Sequence, residues 1–188
     1  MANNKKVFMS TNGFIKKSLI YFLFVSFLTL FATQVAKAEE TGTVTATVTA
    51  QNISVTITTD GSVAFSTIGV DSTKDTGTGA EGVDDTETAQ NNGNVIENFN
   101  IRATDSSSWT LAGTAGNEIF TMKSCIAGCD EVSPTWTSVG EDPTYVTLAS
   151  GIATTNSQDF DLQVGTPTTT AVFDQQTITV TIQAVIGA

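Results

Sequence analysis

Across 188 residues the chain carries 19 acidic side chains against 8 basic ones, a formal net charge of −11, and no histidine. Without histidine the Ser-His-Asp and Cys-His arrangements of acyl transfer are excluded, and the commonest zinc ligand is missing. The acidity also sets nucleic acid and anionic lipid aside as partners, because like charges repel.

The chain opens with Lys5, Lys6, Lys16 and Lys17 and no acid, then an apolar run from Leu19 to Phe31. A basic head before an apolar run is the pattern of a secretory signal peptide. The run ends on Ala36-Lys37-Ala38, with Ala36 and Ala38 at the two positions where signal peptidase admits only small side chains. Cleavage is expected after Ala38, leaving residues 39–188 as one exported domain with no membrane attachment. An uncleaved anchor is the rival, since the run extended by Ala32 and Val35 approaches the roughly 20 apolar residues that span a bilayer. After the leader only Lys74, Arg102 and Lys123 stand against all 19 acids.

Beyond the leader, side chains alternate with a period of two. Thr43 to Ala50 reads TVTATVTA, which places Val44, Ala46, Val48 and Ala50 on one face and four threonines on the other. That is the pattern of a strand with one dry face. After Gln51-Asn52 the apolar residues switch parity to Ile53, Val55 and Ile57, so a bulge or a crossing between sheets is expected there. Asp60-Gly61 signals a turn, and Val63 with Phe65 begins a short strand. Residues 71–94 are polar and glycine-rich and read as one long loop. Strands are expected again at Val95–Ala103, Ser108–Leu111, Ile119–Met122, Trp136–Val139, Tyr145–Leu148, Phe160–Val164 and Thr177–Ile186, the last and strongest being central. The fold expected is all-β: a single antiparallel β-sandwich, jelly-roll or Ig-like, of about eight to ten strands.

Cys125 and Cys129, in CIAGC, are the only cysteines. In an oxidising compartment an isolated pair forms a disulfide, and a metal site would need two more soft ligands. Asp159 and Asp161 lie at i, i+2 and offer the one carboxylate pair for sugar hydrolysis, although ordinary outward residues of an amphipathic strand read the same way. No glycine-rich phosphate motif is found. Enzymatic activity is therefore not expected. Calcium is the candidate cofactor: Asp71, Asp75, Asp84, Asp85 and Glu87 put hard oxygens on the long loop, in a spacing unlike an EF-hand, and a simply solvated acidic loop is the plainer reading. Asn52-Ile53-Ser54 fits the glycosylation sequon.

The first strand of the exported part follows the cleavage site directly and is set off by the parity break. It reads either as the first strand of a monomer or as a donor that completes a neighbour's sheet.

The segment NFNIRATDSSSWTLAGTAGNEIF, centred on Trp109-Thr110-Leu111, resembles the first W-x-L motif of WxL-type surface domains, which are secreted β-rich modules that attach to cell walls. Where those domains repeat the motif near the C-terminus, this chain reads TITVTIQA. The layout of signal peptide, early Thr/Val strands, the Asn-Gly segment QNNGNVIENFNI and a jelly-roll-sized β domain resembles the TasA/camelysin group of exported fibre subunits. These resemblances imply a protein of the cell exterior. The expected function is a structural subunit of a filament, biofilm matrix or surface layer that self-assembles. The alternatives are a module binding a wall polymer or glycan, with Trp109 or Trp136 as a stacking platform, although their alternating strands favour burial of both in the core, and a calcium-binding adhesin-like domain.

Overall fold

A computed structural model describes residues 42–79 and 82–187. The leader and its cleavage site at Ala36 and Ala38 lie outside the described residues. The chain divides into two units, Met1–Val48 and Thr49–Ala188. Of the first, the described residues 42–48 adopt no strand and are all exposed, Val44 by 94% and Val48 by 96%.

In the second unit, eleven strands and no helix are found among the described residues: β1 (Val55–Ile57), β2 (Thr73–Asp75), β3 (Glu87–Asn91), β4 (Glu97–Ala103), β5 (Thr110–Leu111), β6 (Ile119–Cys125), β7 (Thr137–Ser138), β8 (Gly140–Glu141), β9 (Val146–Ile152), β10 (Ser157–Gly165) and β11 (Val180–Ile186). The all-β expectation holds. One sheet runs β1-β3-β10-β6-β5, with β2 also on β10 and β7 also on β6. The second runs β11-β4-β8, with β9 also on β4.

The two long central strands organise these sheets. In β4 the residues Glu97, Phe99, Ile101 and Ala103 are buried and alternate with half-buried ones. In β10 Phe160, Leu162 and Val164 point into the same apolar cluster, which also takes in Phe120 and Met122 of β6 and Leu148 and Ala149 of β9. Both sheets thus share one core. β10 pairs with β3 along Ser157–Phe160 and with β2 along Gln163–Gly165, so successive parts of one strand are gripped by different neighbours and the sheet curls.

Several expectations need correction. The sheets are mixed: β5 pairs parallel with β6, and β4 parallel with β8. Alternation tells which face of a strand is buried and says nothing of its neighbour's direction, so an all-antiparallel reading had no support at these two-residue pairings. Residues 71–94 are not one loop, for they contain β2 and β3. The buried face of β3 is Glu87, Ala89 and Asn91, and two polar residues out of three hide a strand from any reading based on hydropathy. The strand expected from Val63 and Phe65 is a loop whose two apolar side chains pack half-buried on the core. The last strand, β11, is not central: among the described residues it pairs with β4 alone. Its apolar face is only half-buried.

Several buried polar groups are tied into the backbone. Asn91, fully buried, donates from Nδ2 to the carbonyls of Val95 and Ile152, each at 2.9 Å. Residues 50–54 are tied alongside Asn92–Asn94: the Asn52 N–H donates to Asn94 Oδ1 at 2.8 Å, Asn94 Nδ2 donates to the Ala50 carbonyl at 2.8 Å, and the Ser54 N–H donates to Glu97 Oε1 at 2.8 Å. Gly93 sits between them because a Cβ there would overlap Glu97 Oε1 and the Asn52 carbonyl.

Candidate functional site

The side of the domain between β1 and β11 is open. Among the described residues β1 pairs only with β3 and β11 only with β4, so the outer backbone edge of each is free. A groove of about 370 Å³ runs between them. Its floor is Met122, Phe160 and Leu162, buried members of the core, and its walls are Ile57, Val63 and Phe65 on one side and Ile178, Val180 and Ile182 on the other. The i, i+2 spacing of the β11 wall follows from the pleat, which sends alternate side chains to one face. The floor is almost wholly buried, while the apolar walls on both flanks are only half-buried.

At the lip of this groove stand Gly61, Ser62 and Glu87. The Asp60-Gly61 turn is formed as its sequence requires: Gly61 takes a φ of 67°, in the left-handed region that favours glycine, and Asp60 Oδ1 accepts the Ser62 N–H at 3.0 Å. The turn faces the start of β3, where one carboxylate oxygen from each of Asp60, Asp85 and Glu87 lies within 4.8 Å of the others. Asp60 is exposed, Asp85 half-buried and Glu87 buried. Glu87 Oε2 accepts the Thr59 hydroxyl, while Glu87 Oε1 is buried with no hydrogen-bond partner.

Of the five carboxylates expected to hold calcium, the structure brings Asp85 and Glu87 together and adds Asp60 from the turn. Asp71, Asp75 and Asp84 are not in that cluster. Asp71 and Asp84 take left-handed backbone, each at a φ of 53°, and Asp75 Oδ1 accepts the Gly77 N–H at 3.2 Å. Asp60 was hidden because it reads only as a turn former, and its partners lie 25 and 27 positions away in sequence.

The remaining sites fall as follows. Cys125 and Cys129 are joined by a disulfide, with Cα atoms 5.8 Å apart. Asp159 is exposed and accepts the Thr88 hydroxyl at 2.7 Å, whereas Asp161 is buried, so the two are not an outward pair. A buried aspartate in a strand alternating with apolar residues is tolerable only where hydroxyls reach it, and Thr76 and Thr86 do. Trp109 and Trp136 are both half-buried and not enclosed by the core. Trp109 packs on the core's margin and donates from Nε1 to the Thr170 hydroxyl at 3.1 Å. The donor face Val44, Ala46, Val48 and Ala50 is exposed throughout.

No family model, curated protein or solved structure matches this chain.

Proposed function

We propose that this protein is an exported structural subunit, a β-sandwich that assembles with its own copies into a filament, matrix or surface layer outside the cell. Assembly proceeds by strand addition: Thr43–Ala50 of one copy enters the groove between β1 and β11 of the next. The observation that carries this reading is the match between the groove and that segment. The groove offers half-buried apolar walls between two strands with free edges, and the segment offers apolar side chains at every second position, exposed to water. An entering strand gains main-chain hydrogen bonds from a free edge and sends alternate side chains into the groove. Full burial of a valine side chain is worth about 1.5–3 kcal/mol, so Val44 and Val48 alone supply a useful share of the association energy.

The exported location rests on the basic head, the apolar run and the Ala36-Lys37-Ala38 site. The disulfide agrees with an oxidising compartment. Negative-stain microscopy of the purified protein tests the proposal: wild type should form polymers, and deletion of residues 39–50 should leave folded monomers that melt cooperatively. Wild-type protein that stays monomeric at high concentration overturns it.

A further inference from the structure

We propose that Asp60, Asp85 and Glu87 form a calcium site that clamps the Asp60-Gly61 turn onto β3. Two oxygens bound to one Ca²⁺ at about 2.4 Å can stand at most about 4.8 Å apart. The three carboxylates meet that limit, with one oxygen from each inside 4.8 Å of the others.

Proximity of acids on a surface would not be enough, and Glu87 supplies the second observation. It is only 4% exposed, and its Oε1 has no donor within reach although its Oε2 takes the Thr59 hydroxyl. A buried carboxylate oxygen without a donor, beside two further carboxylates, is unfavourable, and a cation in the space between them relieves all three at once. The donor set is oxygen alone, which selects a hard ion over zinc or copper. Exposed Asp60 leaves room for water to complete the six to eight ligands that Ca²⁺ takes.

The clamp has a structural consequence. Asp60 belongs to the turn and Asp85 and Glu87 to the chain entering β3, so the ion bonds together segments that are otherwise joined here by the Thr58 and Thr59 contacts to Glu87 and Thr88. Gly61 and Ser62 line the groove, so fixing the turn fixes the groove's lip. The site stands whether or not a strand fills that groove.

The test uses the purified protein with CaCl₂ as the only probe, read by calorimetry and by thermal melting in EGTA and in excess calcium. Wild type should bind one ion, and its Tm should rise with calcium concentration, since a ligand that prefers the folded state stabilises it. Asp60→Asn, on the exposed side, should melt like wild type in EGTA and bind about tenfold or more weakly, because it removes one of the three charges. Glu87→Gln should lose the calcium response and melt no lower than wild type in EGTA. No binding heat and no shift in wild type would overturn the site, as would a wild-type calcium shift in the Asp60→Asn, Asp85→Asn double variant.

Discussion

The hydroxyl of Thr76 donates to Asp161 Oδ1 at 2.7 Å, and the same oxygen atom of Thr76 accepts the Leu162 N–H at 2.9 Å, all within the protein interior. One threonine thus pairs a buried carboxylate and an amide of β10 at once. Thr76→Val keeps the shape, leaves the Leu162 N–H without its hydroxyl acceptor and leaves Asp161 Oδ1 with the Thr86 hydroxyl alone. The expected loss is about 1–3 kcal/mol, measured as a lower urea midpoint with an unchanged m-value.

Glu118 closes a different network. Its Oε2 accepts the Thr170 hydroxyl and its Oε1 the Ala171 N–H, both at 2.6 Å, and Thr170 receives the Trp109 indole N–H. The Thr170 hydroxyl, and after it the Ala171 N–H, hold the Glu118 carboxyl below its ordinary value of 4.5. A depressed folded-state value means that the contribution is fully present above the unfolded value and is lost as pH falls through the folded one. NMR titration should show a midpoint for Glu118 below 4.5, and Glu118→Gln should weaken the acid dependence of stability in that window only.

The disulfide spans four positions, so it constrains little of the unfolded chain. Reduction should cost no more than about 2 kcal/mol and leave the β circular dichroism intact. A protein that unfolds outright on reduction would show that the Cys125–Cys129 loop carries more of the fold than its size implies.

Val44→Asp with Val48→Asp places charge on the face that strand addition requires to be dry. Both side chains are exposed, so the Tm of the subunit should stay within about one degree of wild type while polymers disappear from micrographs. Retained polymers would point to another mode of assembly.

Phe120 is fully buried in the apolar cluster. Phe120→Ala should cost about 3–5 kcal/mol in chemical denaturation. A cost below 1 kcal/mol would mean that the two sheets do not depend on one core.

Strands whose dry face is apolar were legible from the sequence. Phe99 and Ile101 in β4, and Phe160, Leu162 and Val164 in β10, announce their inward face by period alone. β3 was not legible, because its inward face is Glu87, Ala89 and Asn91, and the reason for burying them lies in partners far away in the chain. The position of β11 is hidden for the opposite cause: eight residues of clean alternation, Thr177–Ala184, signal a dry face, yet that face borders an open groove. Two of the three clustered carboxylates were expected from the acidic segment, and the third came from a turn that only the fold brings near.

The polar face of β3 also acts as an address. Shifting this strand by one residue would carry Asn91 away from the Val95 and Ile152 carbonyls and turn Thr88 and Gln90 inward with nothing arranged to receive them. An all-valine strand would tolerate such a slip more readily, since apolar contacts are interchangeable. In a chain so rich in near-identical Thr/Val repeats, the two hydrogen bonds of one buried amide therefore keep one strand from taking another's seat.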